Sequence, residues 1–345
     1  MDTLTLPRPD DWHLHLRDGA LMQAVAPQAA AAFARAIIMP NLKPPVTTVA
    51  EAAAYRQRIF AALPEGSSFE PLMTLYLTDN TPPAEVERAV ASGLVHAVKL
   101  YPAGATTHSD AGVTDLLLCY DTLAAMEDHG LPLLIHGERT DPGLDIFERE
   151  AAFIDDVLLP LLDRHPRLRV VLEHVSTAAG AELVTGDDPR LAGTFTPQHL
   201  LYSRNDLLVG GLSPHRYCMP VLKRESDREA LLAAATSGHP RVFLGTDSAP
   251  HPRSAKESGC CAAGCYSSPV ALALYAEAFE AAGALERLAD FAGRNGPAFY
   301  GLPINGETVT LERAAQEVPS AYPGGEEPVV PLRAGGTLGW RVRQP

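Results

Sequence analysis

LPLLIHGE, at residues 131–138, is a short apolar run that ends in a histidine and a glycine. The run VVLEH, at residues 170–174, also ends in a histidine. Continuous apolar runs of this length, bounded by Gly, Pro or polar residues, are typical of strands buried on both faces of a parallel sheet. Because the carboxyl ends of parallel strands meet at one edge of a sheet or barrel, we expect the residues that end these runs to lie close together.

Further runs of the same kind bring the number of predicted strands to eight. They lie at residues 12–16, 36–39, 71–77, 97–101, 131–136, 169–174, 192–196 and 241–246, and residues 207–211 are an alternative for the seventh. Segments with helical periodicity lie between the strands, at residues 49–63, 84–93, 113–129, 145–164 and 226–237. Ser226 and Glu229, at the start of the last helix, have the spacing of a capping box. Eight such alternations predict an α/β fold of the (β/α)8 TIM barrel type.

An open doubly wound sheet is the alternative fold for this alternation. No predicted strand leads into the G-x-G-x-x-G phosphate loop of that fold, so the barrel is favoured. We expect residues 1–345 to form a single barrel domain. Residues 302–345 are expected to be a short C-terminal extension that packs on the barrel.

Charge and composition exclude several classes of partner. The net charge of −14 argues against binding to nucleic acid or to an anionic membrane surface. No apolar run approaches the roughly 20 residues that span a bilayer. Residues 1–12 lack the basic-then-apolar order of a signal peptide, and the odd number of cysteines, five, fits a reducing compartment. We therefore expect a cytoplasmic enzyme with a small-molecule substrate.

Histidines and an aspartate end four of the predicted strands. His13 and His15 are two residues apart on the first strand, so their side chains share one face and can reach one cation. His136, His174 and Asp247 end later strands. Any one of these histidines alone is as well explained by a hydrogen bond in the core. Their shared position at the carboxyl ends of the strands indicates a metal site instead.

Lys99 lies inside the apolar strand AVKLY, in a chain with only four lysines among its 28 basic residues. Burial between Val98 and Leu100 should depress its pKa, because the charged form loses solvation. A neutral amine in this position can pair with a carboxylate, form a Schiff base or react with carbon dioxide to give a carbamate. The Schiff base would leave the histidines without a role.

Seven motifs together resemble the bacterial single-function dihydroorotases of the amidohydrolase superfamily. They are DDWHLHLRDG (10–19), MPNLKPP (39–45), VKLYPAGATTHS (98–109), LIHGE (134–138), LEHVST (172–177), TPQHL (196–200) and FLGTDSAPH (243–251). The resemblance implies two Zn²⁺ ions per subunit, held by His13, His15, His136, His174 and Asp247 and bridged by Lys99 as N6-carboxylysine. It also implies a homodimer.

The resemblance further implies the reversible interconversion of L-dihydroorotate and N-carbamoyl-L-aspartate in pyrimidine synthesis. Two cations that share a hydroxide make it a nucleophile at neutral pH, and Asp247 can serve as the general acid and base. The substrate contacts carried over from the family are Arg17, Asn41, His136, Met219, His251 and Ala263. Thr106 and Thr107 belong to residues 103–112, which resemble the family's mobile lid.

Three alternatives are left open by the sequence. A hydantoinase or allantoinase could use the same metal ligands on another cyclic amide, and an inactive dihydroorotase-like subunit could act as a scaffold. An inactive relative is expected to lack ligands, and none is missing here.

The cysteines at 260, 261 and 265 do not reproduce C-x₂-C spacing, so we expect buried thiols rather than a third metal.

Overall fold

Eight parallel strands, hydrogen-bonded in chain order, form the centre of the computed structural model, which describes residues 2–343. The strands of the described residues are β1 (Thr3–Pro7), β2 (Asp11–Leu14), β3 (Arg35–Ile38), β4 (Glu70–Tyr76), β5 (Val95–Leu100), β6 (Leu133–Ile135), β7 (Val170–Leu172), β8 (Leu191–Phe195), β9 (Val242–Leu244), β10 (Thr308–Glu317) and β11 (Thr337–Val342). Strands β2 to β9 make the parallel sheet. Each pairs with its neighbours in the chain, as expected of a (β/α)8 barrel.

The barrel closes between its first strand and the segment after its last. Leu14 forms a parallel bridge with Ser248, and the Asp247 N–H donates to the carbonyl oxygen of His13 at 2.9 Å. The His15 N–H donates to the carbonyl oxygen of Ser248 at 3.1 Å. These bonds continue the hydrogen-bonded ring past the end of β9, so the residues that complete the barrel are also those predicted to hold metal.

Helices follow the strands around the outside. They are α1 (Gly19–Ala32), α2 (Val49–Ala62), α3 (Pro83–Ser92), α4 (Tyr120–His129), α5 (Arg149–Phe153), α6 (Leu159–Arg164), α7 (Ala178–Val184), α8 (Pro197–Leu201), α9 (Arg204–Leu208), α10 (Glu225–Thr236), α11 (Arg253–Lys256), α12 (Ala271–Ala281), α13 (Leu288–Gly293) and α14 (Asn295–Tyr300). Short 3₁₀ turns lie at Leu116–Cys119, Pro214–Arg216, Ser268–Val270 and Leu285–Arg287, and a π-helical turn lies at Ile154–Leu158. Within residues 2–343, none of these helices has the length and apolar character that a membrane span requires.

The TIM barrel prediction is confirmed, and every predicted strand lies within two residues of an observed one at both ends. The alternative at 207–211 is wrong, because residues 204–208 form α9. The predicted cap at Ser226 is also wrong. Helix α10 begins at Glu225, and the Asp227 side chain accepts from the Arg224 N–H at 3.2 Å. Asp227 therefore caps the first turn, although the sequence pattern did not single it out.

Side chains inside the barrel form an apolar layer, the floor, and a polar layer at the carboxyl ends of the strands, the mouth. The floor consists of Trp12, Ile37, Met39, Leu72, Ala97, Leu134, Val171, Ala192 and Phe243. Strand alternation then places Lys99 and Tyr101 above Ala97 on the same inward face. The register shifts between Asp11 and Leu14, as at a β-bulge, and this turns β2 so that its histidines lie at the mouth while Trp12 lies in the floor.

A second, antiparallel sheet of three strands has the order β1–β10–β11. Sequence reasoning missed all three strands, because they alternate exposed and buried residues and carry no chemical motif. The buried Trp340 of β11 donates from Nε1 to Glu280 of α12 at 3.0 Å. Residues 308–342 therefore pack against both the N-terminal strand and the outer helices.

Candidate active site

Three ligand atoms lie together at the mouth of the barrel. His15 Nε2 is 3.1 Å from Asp247 Oδ1, His13 Nε2 is 3.4 Å from the same oxygen, and the two Nε2 atoms are 3.2 Å apart. Two ligands each about 2.1 Å from one tetrahedral ion are about 3.4 Å apart. This triangle therefore fits a single zinc-like cation, and these residues are the one ligand cluster of this kind found within residues 2–343.

Lys99, His136 and His174 lie beside this triangle. The His174 ring is 5.0 Å from the His13 ring and 4.7 Å from the His136 ring, measured between centroids. Lys99 is fully buried, and its Nζ has no hydrogen-bond partner among the described residues. Burial lowers the pKa of Lys99 to about 8, against the opposing effect of the Glu173 and Asp247 carboxylates. All six predicted ligands are thus brought to one place.

Two buried glutamates hold the histidines in position. Glu173 Oε2 is 2.7 Å from His13 Nδ1 and accepts from Thr194 Oγ1 at 2.7 Å. Glu138 Oε2 is 2.7 Å from His136 Nε2, which leaves the Nδ1 of that ring for a cation. A carboxylate on the far nitrogen fixes the tautomer and orientation of a metal-binding imidazole. Sequence reasoning assigned neither glutamate, although each lies within two residues of a predicted ligand.

Asp11 was also missed, and it ties β2 to the segment after β9. Its Oδ1 accepts from the Thr246 N–H at 2.8 Å and from the His13 N–H at 3.1 Å, and its Oδ2 accepts from Thr246 Oγ1. Burial raises the pKa of Asp11 to about 7, partly offset by these hydrogen bonds. The side chain therefore fixes the backbone on both sides of the His13, His15 and Asp247 triangle.

Three residues of the mouth have left-handed backbone conformations. Arg17, His174 and Asp247 have φ values of 62°, 41° and 45°. Non-glycine residues rarely adopt positive φ, and such conformations cluster at functional sites. Each turn aims a polar side chain into the mouth directly after a strand. The left-handed conformations therefore occur at residues that the sequence motifs had also singled out.

Arg17 lies beside the triangle and points a buried guanidinium toward the cavity. Its Nη2 is 3.0 Å from His251 Nε2, and its Nε donates to the carbonyl oxygen of Pro250 at 3.2 Å. No ion pair joins it to any carboxylate within residues 2–343. Burial lowers the pKa of this guanidinium. A buried cation with neutral partners is a ready binding site for an anion.

Asn41 and His251, both predicted substrate contacts, lie on either side of Arg17. Asn41 Oδ1 is 2.8 Å from His15 Nδ1, and its Nδ2 donates to the carbonyl oxygen of Thr107 at 3.0 Å. His251 Nε2 is also 2.9 Å from the carbonyl oxygen of Ala263. A neutral ring nitrogen either donates or accepts, so it cannot satisfy both Ala263 and Arg17. His251 is therefore free to exchange one of these partners for a ligand.

The segment at residues 103–112 lies over this cavity. Thr107 Oγ1 donates to the carbonyl oxygen of Ala263 at 3.2 Å, and the Thr106 N–H donates to Ser109 Oγ at 2.9 Å. The cavity wall includes Thr106, Thr107, Met219 and Ala263, together with Asp247 and the four histidines predicted to bind metal. All the predicted substrate and lid residues therefore lie at the mouth. Of the three cysteines expected to be buried, only Cys265 is buried, whereas Cys261 is half-buried and Cys260 is exposed.

The buried polar atoms without a partner fit the presence of cations and a carbamate. Among the described residues these include Lys99 Nζ, His174 Nδ1, Glu173 Oε1 and Tyr101 OH. Buried polar atoms are rarely left unpaired, and an ammonium without a partner is especially costly. Nitrogen and carboxylate donors are also the ligand types that zinc prefers. The residues present therefore fit a metal centre, in which His13, His15 and Asp247 form a ligand cluster for one cation.

Comparison with known proteins gives a consistent result. Residues 11–316 match the model of the amidohydrolase family. A dihydroorotase from Halorhodospira halophila is 85% identical over 345 residues, covering 100% of both chains.

Two solved structures are similar over the whole chain. A dihydroorotase from Campylobacter jejuni has a TM-score of 0.91 at 37% identity and covers 100% of this chain and 98% of its own. A dihydroorotase from Saccharomyces cerevisiae, solved in complex with 5-fluoroorotic acid, has a TM-score of 0.91 at 31% identity and covers 99% of both.

Proposed function

Because the chain belongs to the amidohydrolase family and, within it, to the dihydroorotases, we propose that the mouth of its barrel interconverts L-dihydroorotate and N-carbamoyl-L-aspartate in pyrimidine synthesis. The environment of Arg17 is the observation that links this family assignment to the site. Its buried guanidinium faces the cavity without a carboxylate partner, and the substrate supplies one. A bidentate pair with that carboxylate would orient the ring against the metal ligands.

We propose that two Zn²⁺ ions bind here. His13, His15 and Asp247 would hold one, His136 and His174 the other, and carboxylated Lys99 would bridge them. When bound, such ions lower the pKa of water and polarise the amide carbonyl. The near-neutral pKa of Lys99 makes its amine available to carbon dioxide, and carboxylation would replace a costly buried cation by an oxygen ligand.

The protein's own groups would then bind the substrate and move protons. Arg17 would hold the carboxylate, with Asn41 and His251 at its sides. Backbone groups of Met219 and Ala263 would hold the ring, and His136 would contact its reacting edge. Asp247 Oδ would take a proton from the attacking water and deliver it to the departing amide nitrogen. Residues 103–112 would cover the site and exclude bulk water.

Two other functions would use the same barrel. A hydantoinase or allantoinase acts on an uncharged or differently substituted ring and has no need of Arg17 in this position. An inactive scaffold would not need six intact ligands with two glutamates behind them. The test is an assay of the purified protein on L-dihydroorotate and on dihydrouracil, with metal analysis of the same sample. Turnover of the uncharged ring in preference to L-dihydroorotate would refute the dihydroorotase assignment.

Arg17→Ala is expected to lower kcat/KM for L-dihydroorotate by roughly 30- to 5,000-fold. Removing one partner of a charged, buried pair costs about 2–5 kcal/mol, which corresponds to that range. The loss for dihydrouracil should be small, because that ring has no carboxylate to bind. Steady-state kinetics on both rings measure the difference.

The matched control is Arg58→Ala, since Arg58 is half-exposed and pairs with Asp18 outside the cavity. This variant is expected to keep wild-type kinetics. Equal losses on both rings in Arg17→Ala would contradict a role in binding the carboxylate.

Replacing both Thr106 and Thr107 by alanine is expected to lower kcat/KM roughly 10- to 100-fold and to leave the metal content intact. Two hydroxyl donors that strengthen toward the transition state account for a loss of this size. The control is Thr114→Ala, because Thr114 lies just beyond the segment and donates to Asp79. Unchanged kinetics in the double variant would reduce residues 103–112 to an ordinary loop.

We further propose that residues 2–343 form one barrel domain, with residues 302–343 as an extension packed on it; residues 344 and 345 of the predicted extension lie outside the described part of the chain. The pairing of β10 with β1 and of β11 with β10 supports this. A homodimer and a cytoplasmic location are proposed on the strength of family membership and composition. Sedimentation of the purified protein tests the dimer.

A further inference from the structure

Lys256 is a buried lysine that the metal centre does not explain. It is the last residue of α11, and only 4% of it is exposed. Arginine occupies nearly all other basic positions in this chain, and Lys99, the proposed carboxylated residue, is one of only four lysines. Burial disfavours an ammonium, so a lysine kept in such a place must provide interactions that an apolar side chain cannot.

The ammonium of Lys256 donates to three backbone carbonyl oxygens. The distances are 2.8 Å to Tyr217, 2.7 Å to Ala262 and 2.8 Å to Gly264. An ammonium has three N–H donors and no acceptor, so its hydrogen-bonding capacity is fully used. All three partners are neutral, which means that Lys256 acts here as a connector of backbone segments rather than as half of an ion pair.

The three carbonyls belong to two segments that form one wall of the active-site cavity. Met219 lies two residues after Tyr217, and Met219, Ala263 and Gly264 all line the cavity. The Gly264 N–H also donates to the carbonyl oxygen of Tyr217 at 3.0 Å. Lys256 therefore lies behind the wall, on the side away from the cavity, and binds both of its segments at once.

We propose that Lys256 is a positioning residue that fixes the spacing of residues 217–219 and 262–264, and with it the grip on the substrate ring. The inference rests on the proposed function, in which backbone groups of Met219 and Ala263 contact that ring. Lys256 does not touch the metal ligands, and Asp247 and its histidines are held by other partners. Its effect should therefore fall on substrate binding rather than on metal content.

Neither arginine nor methionine reproduces this arrangement. The guanidinium is a planar fork, whereas the ammonium is a compact centre whose three donors diverge toward three separate carbonyls. Methionine has a similar length and no donor. With methionine the two segments would keep backbone hydrogen bonds such as that from Gly264 to Tyr217. They would lose the ammonium to which both are bonded and which sets the distance between them.

Lys256→Met is expected to raise KM for L-dihydroorotate about 10- to 100-fold, with kcat changed by less than about threefold. The dissociation constant for 5-fluoroorotic acid, the ligand in the yeast structure, should rise in parallel. Metal content should stay at the wild-type level. Arg253→Met, on the same short helix and with a salt-bridge partner, Glu257, outside the cavity, is the matched control and should leave KM unchanged.

Lys256→Arg keeps the charge and provides a second variant if Lys256→Met does not fold. Its expected KM lies between the wild-type and methionine values, at full metal content. A wild-type KM in either variant would overturn the proposal, as would a fall in kcat that follows loss of metal. Failure of the wild type to turn over L-dihydroorotate would instead refute the proposed function, so the two failures are distinguishable.

Discussion

Asp247→Asn is expected to lower kcat for L-dihydroorotate by roughly 10²- to 10⁴-fold while the protein keeps part of its metal. A general acid and base contributes roughly 10²- to 10⁴-fold, and asparagine cannot carry the proton. Asparagine is nearly isosteric and tolerates the positive φ of this position, so the fold and the backbone bond to His13 should persist. The amide oxygen can still face a cation.

Metal content and kcat must be measured on the same preparations of this variant. At equal metal content, the rate loss should persist, because it reflects the missing proton carrier and not an empty site. Burial raises the pKa of Asp247, but the hydrogen bond from His15 and the nearby His13 ring outweigh this and lower it to about 2. The group is therefore ionised at neutral pH. Activity that falls only in proportion to lost metal would contradict the proton-transfer role.

Lys99→Ala is expected to lose most of the bound metal and nearly all activity. The variant removes the proposed bridge between two cations and leaves the six-ligand set incomplete. A readout independent of activity is the intact mass under native conditions, where the wild type should carry the additional mass of one carbon dioxide per subunit.

Lys43→Ala is the control for this mass, because Lys43 is exposed and lies outside the apolar strand. It should keep the added carbon dioxide, whereas Lys99→Ala should lose it. Native-like metal content and turnover in Lys99→Ala would contradict the bridging role. Retention of the added mass in that variant would place the modification on another residue.

The barrel could be predicted from the sequence because buried parallel strands leave a strong local signal. Short runs rich in β-branched residues, such as VVL at 170–172, favour strands, and a polar residue directly after each run marks the mouth. Five of the six predicted ligands could be proposed for the same reason, because they are polar residues at or near the end of an apolar run. Lys99 lies inside its strand, and its predicted role came from the family resemblance, although strand alternation places it on the same face as Tyr101.

Residues that act through distant partners could not be predicted in this way. Asp11 precedes a predicted ligand by two residues, but its partner Thr246 is 235 residues away, so nothing local indicates the contact. Lys256 donates to carbonyl oxygens, which every residue carries, and a sequence cannot show which of them converge. The antiparallel strands β1, β10 and β11 were not predicted because their residues alternate in burial and form no continuous apolar run that ends in a polar residue.

Closure of the barrel between Leu14 and Ser248 also sets when the catalytic site can first exist during synthesis. Asp11 and its partner Thr246 are 235 residues apart in the chain, and at about 5–20 residues per second the ribosome needs roughly 10–50 s to make that length. Throughout that interval His13 and His15 lack the aspartate that completes their triangle. The complete triangle of His13, His15 and Asp247 therefore forms only after the ribosome has passed Asp247, near the end of barrel synthesis.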